Sequence, residues 1–269
     1  MATRHMGFDE PWLDGSLLPF RMRAVLSPPA NEPPQPVCAP RPIRGLLLET
    51  GNVLYDDTDW RRWLLRLLMR LGLRTEYGPF FRVFDRDYLD AVYRGEMPFS
   101  DALDAFLISV GLSPGQAEEV HRALDSQRRH SDARHRPLIG VRETIAQLHS
   151  SGVKLGVLSN CEHSGEAIRQ QLAELLGESP WTAVTSSRDL GCAMPEGACY
   201  RAALEAIRLS AAEVAFVGHD ARELHGAAVQ GLTTIAFNSD RDARADVYLQ
   251  RFESLIALTR FSPRGSAAA

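Results

Sequence analysis

Residues 46–54 read LLLETGNVL, a short apolar run that ends in an acidic residue and a glycine turn. Three consecutive leucines without polar alternation are typical of a strand covered on both faces, as strands of parallel sheets are. Gly51 supplies the turn that follows the strand. Glu49 stands at the end of the strand, and ligands of open parallel sheets bind beyond the carboxyl ends of the strands. The stretch therefore predicts both the type of sheet and the place of a site.

Similar apolar runs recur along the chain and alternate with helical patterns. We predict strands over residues 45–49, 154–159, 183–186, 214–217 and 233–237. We predict connecting helices over residues 141–150, 165–176, 196–207 and 224–230. Strands joined by crossover helices form a parallel sheet with helices on both faces. The predicted fold class is therefore α/β, a Rossmann-like parallel sheet flanked by helices.

The strand pattern stops between residues 59 and 136, where apolar residues recur at helical spacing. One such stripe consists of Trp60, Trp63, Leu64, Leu67, Leu68 and Leu71. Further stripes over residues 81–93, 103–110 and 117–124 predict about four helices in this segment. The sequence thus predicts an all-helical insert within the α/β domain.

These patterns divide the chain into a core, an insert and two ends. Residues 42–58 and 137–261 are predicted to form the α/β core, and residues 59–136 the helical insert. Residues 1–41 are rich in proline, follow neither structural period and are expected to form a disordered arm. Residues 262–269 offer little to bury and are expected to be a flexible tail.

The overall composition excludes several classes of protein. The chain has 269 residues, a formal net charge of −4 and a pI near 6.1. It therefore offers no broad positive field for nucleic acid or for an anionic membrane. Its apolar runs fall well short of the roughly 20 residues that cross a bilayer, and its N-terminus lacks a signal-peptide pattern. We expect a soluble, cytoplasmic protein whose partners are neither nucleic acids nor membranes.

The chain contains four cysteines: Cys38, Cys161, Cys192 and Cys199. They are too few for a disulfide scaffold in a chain of this length, so we expect free thiols and a reducing compartment. Cys161 and Cys192 fall in loops that follow predicted strands.

Four loops follow the predicted strands and should meet at one edge of the sheet. They are residues 49–52, 159–161, 191–196 and 218–223. The loops and their flanks contain Gly51-Asn52-Val53-Leu54, Leu158-Ser159-Asn160, Asp189-Leu190-Gly191, Pro195-Glu196, Tyr200, Phe216-Val217, Gly226-Ala227 and Gly231. Together these motifs, within about residues 43–260, resemble the haloacid dehalogenase (HAD) superfamily, in detail its branch similar to glucose-1-phosphate phosphatases. The resemblance implies that the helical insert is the family's cap over the active site.

The resemblance assigns catalytic motif positions to Glu49, Gly51, Ser159 and Met194. Active members have a nucleophilic aspartate at the first position. The extra methylene of Glu49 displaces the attacking oxygen by about 1 Å, which can cost about 100-fold in rate. Gly51 replaces the general acid and base, whereas Ser159 keeps the hydroxyl of the second motif. Met194 replaces the lysine that neutralises the phosphoryl group.

The fourth motif of the family brings acidic residues that hold Mg²⁺ through oxygen atoms. Gly218 and His219 stand at the acidic positions of this chain, and Asp220 and Glu223 lie close by. The candidate metal ligands are therefore Glu49, His219, Asp220 and Glu223. Mg²⁺ is the expected cofactor if the protein is active.

Polar residues beside these positions are the candidate substrate-binding residues: Thr50, Asn52, Asn160 and Arg188. Arg188 is included because it is the cation nearest to Met194 in the sequence. Four further arginines, Arg61, Arg62, Arg66 and Arg70, lie at helical spacing. They contact either an anionic ligand or partner, or solvent alone.

Other interpretations of the strand-end residues stay open. The Glu49 carboxylate is an altered nucleophile, a metal ligand, or an acid hydrogen-bonded to turn amides around Gly51 and Asn52. Cys161, Cys192 and His219 fall on different strand-end loops, and soft ligands of this kind suit zinc rather than Mg²⁺.

Two functions compete at this stage. The first is a HAD-like hydrolase-family protein that is catalytically impaired or repurposed and keeps a pocket for a phosphorylated small metabolite or a regulatory protein partner. The second is an active metal-dependent phosphomonoesterase that uses Glu49 in place of the usual aspartate. The combined loss of the nucleophile, the lysine and the metal-binding acids favours the first.

Overall fold

Six parallel strands form the central sheet of the computed structural model, which describes residues 43–131, 136–177 and 180–260. The strands are β1 (Gly45–Leu48), β2 (Lys154–Ser159), β3 (Trp181–Ser186), β4 (Val214–Gly218), β5 (Thr233–Phe237) and β6 (Val247–Leu249). Their order across the sheet is β3-β2-β1-β4-β5-β6. The predicted α/β class and the five predicted strands are confirmed.

The sequence pattern does not predict the edge strand β6. This strand has three residues, of which one is exposed and two are half-buried. It pairs with β5 alone. Since it is not covered on both faces, it lacks the apolar run by which the other strands are recognised.

The α-helices of the described residues are α1 (Thr58–Arg70), α2 (Tyr77–Asp87), α3 (Leu89–Tyr93), α4 (Phe99–Ser109), α5 (Pro114–Ser131), α6 (Val141–Ser150), α7 (Gly165–Leu176), α8 (Ser187–Leu190), α9 (Gly197–Ile207), α10 (Ala221–Val229) and α11 (Leu255–Arg260). Helices α6 and α7 have the predicted bounds. Helix α10 begins at Ala221, earlier than predicted, because the Asp220 carboxylate accepts hydrogen bonds from the amides of Arg222 and Glu223.

Two apolar layers cover the sheet. Leu46 and Leu48 of β1 pack on one face with residues such as Leu172 of α7. Leu47 packs on the other face in a cluster that includes Tyr200 of α9. All three leucines of β1 are fully buried. The strand is therefore covered on both faces, as its sequence predicts.

Helices α1 to α5 lie between β1 and β2, and no strand interrupts them in the part of the chain that the structure describes. They enclose an apolar core of their own, to which Leu64, Phe84 and Phe106 belong. The segment has five helices rather than about four. The predicted stripe over 81–93 breaks at Tyr88, where φ is −124° and ψ is −38°, so α2 ends and α3 begins there.

Several predictions about the ends of the chain fall outside the described residues. The expected disordered arm over residues 1–41 and the tail over residues 262–269 are among them. The division into core and cap stays a prediction, although the change from strand to helix occurs at Thr58, close to the predicted boundary. No described helix has both the length and the apolar character required to cross a bilayer.

Candidate functional site

The carboxyl ends of β1, β2 and β4 open onto a crevice of about 1100 Å³. These three strands are neighbours in the sheet, so the loops that follow them meet. Glu49, Ser159 and His219 line one side of the crevice, and residues of α1 and α2, including Arg61 and Arg82, line the other. The crevice thus lies between the edge of the sheet and the helical insert.

Glu49 is paired with His219 at the floor of the crevice. Its Oε2 accepts hydrogen bonds from Nδ1 of His219 at 2.7 Å and from the His219 amide at 3.3 Å. The residue is 7% exposed. The expected bonds to turn amides around Gly51 and Asn52 are not the ones it makes, and the Asn52 amide donates instead to the Tyr55 carbonyl. Glu49 is thus one half of an ion pair.

His219 is the other half, and its charge follows from its surroundings. Burial lowers the pKa of the imidazole, but the charge and hydrogen bond of Glu49, with smaller effects of Asp220 and Asp240, outweigh burial and raise the pKa to about 9. The ring is therefore an imidazolium at neutral pH. Its Nε2 lies 3.4 Å from Nδ2 of Asn52. Both ring nitrogens of an imidazolium carry hydrogens, so its Nε2–H and the Asn52 amide NH₂ are both donors and cannot bond to each other. The Nε2–H is therefore available as a donor beside the crevice.

Two hydroxyl groups complete the floor of the crevice. Oγ of Ser159 lies 2.7 Å from Oγ1 of Thr50, and both residues are buried. Thr50 follows β1 and Ser159 ends β2, so the pairing of these strands brings the hydroxyls together. Either hydroxyl can donate to the other. Thr50 also contacts the Tyr55 side chain, and Ser159 contacts the Cys161 thiol.

Met194 is held by its backbone rather than by its side chain. Nδ2 of Asn160 donates to the Met194 carbonyl at 3.0 Å, and the Met194 amide donates to Oδ1 of Asn160 at 2.8 Å. Nδ2 of Asn160 also donates to Oε1 of Glu223 at 2.8 Å. Both ends of the Asn160 amide are thus engaged within the protein. Asn160 fixes the loop that carries Met194 instead of presenting its amide to a ligand.

The two acids of the loop after β4 have structural partners. Asp220 caps α10. Glu223 is buried, and its Oε2 has no hydrogen-bond partner. Burial, together with the nearby charges of Glu49 and Asp220, raises the pKa of Glu223 well above its usual range. The buried Glu223 carboxyl group therefore binds a proton more readily than an ordinary glutamate does.

Arg188 does not lie in the crevice, which corrects its predicted role in substrate binding. Its Nη1 donates to the Glu162 carbonyl at 2.8 Å. It lines an adjoining cavity of about 440 Å³, which shares Val92, Phe99, Leu124 and Glu162 with the crevice. Sequence distance from Met194 is a poor guide because α8 carries Arg188 away from the floor of the crevice.

The helical insert contributes arginines to the crevice in a pattern that the sequence shows only in part. Arg61 and Arg62 line the crevice, whereas Arg66 and Arg70 do not. Nη1 of Arg61 contacts both carboxylate oxygens of Asp85 at 2.8 Å, and its guanidinium lies over the Trp60 ring. Two arginines that the sequence analysis missed, Arg82 and Arg86, also line the crevice. Their spacing of four residues on α2 is the signal that could have identified them.

A second missed residue is Asp57, which lines the crevice next to Gly51. A Cβ built on Gly51 would lie 3.5 Å from Oδ2 of Asp57. A carboxylate therefore stands close to the position where the superfamily has its general acid and base, although it comes from a different residue of the chain. The signal in the sequence was the Asp56-Asp57 pair just after the turn.

A family model of haloacid dehalogenase-like hydrolases matches residues 52–231. The chain belongs to this family. The assignment of the motifs to the HAD superfamily is therefore confirmed, and the finer resemblance to glucose-1-phosphate phosphatases stays a prediction. No relative was found among curated protein sequences.

Solved structures of HAD-superfamily proteins share this fold at low sequence identity. The magnesium-bound putative HAD-hydrolase YfnB from Bacillus subtilis is 18% identical with a TM-score of 0.62, over 82% of this chain and 100% of that chain. The L-2-haloacid dehalogenase from Xanthobacter autotrophicus with chloropropionic acid covalently bound is 18% identical with a TM-score of 0.55, over 81% and 98%. A putative beta-phosphoglucomutase from Thermotoga maritima is 14% identical with a TM-score of 0.59, over 81% and 99%.

The predicted magnesium ligands of this HAD-family chain do not fit the metal in their present arrangement. Mg²⁺ requires several oxygen ligands, charged or neutral, that surround one position. Glu49 is paired with His219, whose positive charge repels a divalent cation, and Asp220 is engaged in capping α10. No group of three or more His, Cys, Asp or Glu residues suited to a metal occurs among the described residues. The predicted set of Glu49, His219, Asp220 and Glu223 is thus an ion pair, a helix cap and a buried acid whose pKa is raised.

The proposed zinc ligands Cys161, Cys192 and His219 do not form a cluster either. Cys161 and His219 line the crevice, but Cys192 does not. Sγ of Cys192 instead lies 2.9 Å from Sγ of Cys199, and Sγ of Cys161 contacts the His163 carbonyl and Oγ of Ser186. The structure therefore does not bring the three proposed zinc ligands together.

Proposed function

We propose that this protein binds a phosphorylated small molecule in the crevice and does not cleave it through a covalent acyl phosphate. The observation that carries the proposal is the 2.7 Å bond between Oε2 of Glu49 and Nδ1 of His219. This bond holds an imidazolium against the carboxylate that would have to attack phosphorus. The two charges cancel at the point where the family's reaction begins.

Several features oppose attack by Glu49. A carboxylate oxygen that accepts a charge-assisted hydrogen bond has one lone pair engaged and is a weaker nucleophile. The longer side chain also changes where the oxygen can reach. Met194 is 3% exposed and carries a thioether, so no ammonium at this position neutralises charge on a transferring phosphoryl group. All of these features oppose the same step, the attack of Glu49 on phosphorus.

The floor of the crevice still suits a phosphoryl group. Ser159 and Thr50 supply a hydroxyl donor, and His219 supplies the Nε2–H. Glu49 occupies only Nδ1 of the imidazolium. These donors come from β1, β2 and β4, where they converge on one side of the crevice.

The walls of the crevice suit an organic group attached to the phosphate. A volume of about 1100 Å³ accommodates a metabolite rather than an isolated anion. Trp60 and Tyr77, which line the crevice and are half-buried, offer aromatic surface. Arg62, Arg82 and Arg86 place positive charge on the side of the insert. A sugar phosphate has the combination of charge, hydroxyl groups and size that this lining can bind.

The rival function is a metal-dependent phosphomonoesterase in which Glu49 replaces the usual aspartate. The position of Asp57 beside Gly51 favours it, because this carboxylate could act as the general acid and base that position 51 lacks. The rival requires the Glu49–His219 pair to open so that Glu49 is released. A regulatory protein partner in place of a metabolite is a further use of the same surface.

The decisive experiment measures turnover and binding on the same preparation. We expect no phosphate release from a panel of sugar phosphates and an aryl phosphate in Mg²⁺, and a raised melting temperature with at least one sugar phosphate. Turnover that Glu49→Ala abolishes, or a phosphorylated Glu49 trapped by mass spectrometry, would establish the rival. Turnover that persists in Glu49→Ala identifies a contaminating phosphatase. The absence of any thermal shift across the panel would contradict the binding proposal.

A further inference from the structure

Cys192 and Cys199 lie opposite each other across a short loop, outside the crevice. Cys192 follows α8 and is half-buried, and Cys199 lies in the first turn of α9 and is fully buried. Their Sγ atoms are 2.9 Å apart, and both cysteines are free. A disulfide requires roughly 2.05 Å between the sulfur atoms, so a movement of about 1 Å joins them.

The loop between the two cysteines contacts both the floor of the crevice and the helical insert. The backbone amide and carbonyl of Met194 are both hydrogen-bonded to the side chain of Asn160. Oε1 of Glu196 forms an ion pair with Nη1 of Arg94 at 2.7 Å. Arg94 directly follows α3 of the insert. The conformation of this loop therefore affects the site and the position of the insert together.

We propose that Cys192 and Cys199 form a reversible disulfide that acts as a thiol-redox switch on the loop carrying Met194 and Glu196. The oxidised form fixes the loop at both ends, and the reduced form leaves it held by non-covalent contacts, among them those with Asn160 and Arg94. The proposal does not depend on whether the crevice binds a phosphorylated ligand, because it rests on the two sulfur atoms and on the contacts of the loop between them.

The reaction is a thiol–disulfide exchange with a small disulfide such as oxidised glutathione. The Cys192 thiolate attacks one sulfur of that disulfide and forms a mixed disulfide with it. The other sulfur leaves as a glutathione thiolate. Cys199 then loses its proton and attacks Sγ of Cys192, which expels the second glutathione thiolate. The protein loses two hydrogens, and the small disulfide is reduced to two thiols.

The environment of the two thiols sets the order of these steps. Burial, and then the neighbouring Cys192, raises the pKa of Cys199. Cys192 is the more accessible of the two and attacks first. Once Cys192 is in the mixed disulfide it can no longer be a thiolate, so its contribution to the raised pKa of Cys199 disappears and the second step becomes easier.

The chain provides its own matched control. Cys161 is half-buried like Cys192, but its sulfur contacts the His163 carbonyl and the Ser186 hydroxyl instead of a cysteine. It should react slowly because burial raises the pKa of its thiol. Cys161→Ser should leave the proposed disulfide intact.

The test equilibrates the full chain with glutathione mixtures of increasing oxidised fraction, followed by acid quenching and peptide mass mapping. We expect a Cys192–Cys199 disulfide with a mass lower by two hydrogens, its reversal by reduced glutathione, and its persistence in Cys161→Ser. Cys199→Ser should instead accumulate the mixed disulfide at Cys192. Persistence of both thiols in the most oxidised mixture, or a disulfide with different cysteines, would overturn the proposal.

Hydrogen exchange tests the effect on the loop. Oxidation of the wild-type chain should slow amide exchange over residues 192–199 and over α3, whereas Cys192→Ser should show no change on the same treatment. Formation of the disulfide with unchanged exchange in both segments would refute its role as a switch. The wild-type measurement needs no variant to fold, so either result is informative.

Discussion

Oε2 of Glu49 and Nδ1 of His219 lie 2.7 Å apart and join the ends of two neighbouring strands. The residues are 170 positions apart in the chain. They meet because β1 and β4 pair in parallel register, with Leu48 beside Val217. The ion pair is largely buried, so neither charge can be removed without leaving the other in a poor environment.

We expect His219→Gln to lower the free energy of unfolding by about 2–3 kcal/mol, because Glu49 loses its counter-charge while it stays buried. Glu49→Gln should cost less, about 1 kcal/mol, since the imidazole can give up its proton. The double variant should be more stable than the sum of the single effects predicts. Urea unfolding at pH 7 measures all three. Additive single effects would mean that the two residues are not coupled.

The pH dependence of stability should carry the signature of His219. Its pKa is about 9 in the folded protein and near 6.5 in a free histidine. The folded state therefore binds more protons between these values, so this contribution is complete below about pH 6.5 and is lost as the pH rises through about 9. The loss should amount to at most about 3 kcal/mol.

Comparison with His219→Gln isolates this effect. Glu223 also has a raised pKa and loses stability in the same direction as the pH rises. The difference between the wild-type and variant profiles removes the share of Glu223. Parallel profiles from pH 6 to 10 would show that His219 does not hold the extra proton.

The parts of the fold that sequence analysis predicted are those fixed by local pattern. Leu46–Leu48 read as a buried strand because both faces of β1 are covered, and α6 and α7 follow their apolar stripes. Two of the features that were missed have opposite reasons. The strand β6 is too short and too exposed to show a pattern, and the break at Tyr88 lies inside a continuous apolar stripe.

The candidate site was predictable in position but only partly in its contacts. The strand-end loops identified Glu49, Ser159 and His219, since the carboxyl ends of parallel strands share one edge. The pairing of Glu49 with His219 depends on the strand order, which the local pattern does not contain. In the same way, the sequence could not show that Arg188 bonds to the Glu162 carbonyl in an adjoining cavity or that Cys192 meets Cys199.

Arg62 and Arg82 line the crevice on the side of the insert and give a prediction that depends on the proposed function. Arg62→Ala or Arg82→Ala should weaken binding of a sugar phosphate about 3- to 10-fold, an effect that salt reduces because both side chains are exposed. Arg66→Ala is the matched control, since Arg66 lies on the same helix as Arg62 but outside the crevice. Calorimetric titration at two salt concentrations measures the difference. Equal affinities in Arg62→Ala and Arg66→Ala would show that Arg62 does not contact the ligand.

The Asn160 side chain provides the last prediction, because it joins three backbone and side-chain groups of the site. It bonds to the amide and carbonyl of Met194 and to the carboxyl group of Glu223, at distances of 2.8–3.0 Å. Asn160→Ala should lower the free energy of unfolding by about 3 kcal/mol, since it leaves buried polar groups without partners.

Asn238 is the control for this variant. Its side chain also donates to a backbone carbonyl, through a 3.0 Å bond from Nδ2 to the Asn52 carbonyl, but at an exposed position. Asn238→Ala should cost only about 1 kcal/mol, because water replaces the lost bond and the cost comes mainly from the left-handed backbone at Asn238, where φ is 48°. The same pair should differ in thiol chemistry, since only Asn160→Ala releases the loop of Cys192. Urea unfolding and the rate of Cys192 alkylation measure both effects, and equal values for the two variants would mean that Asn160 does not hold this loop.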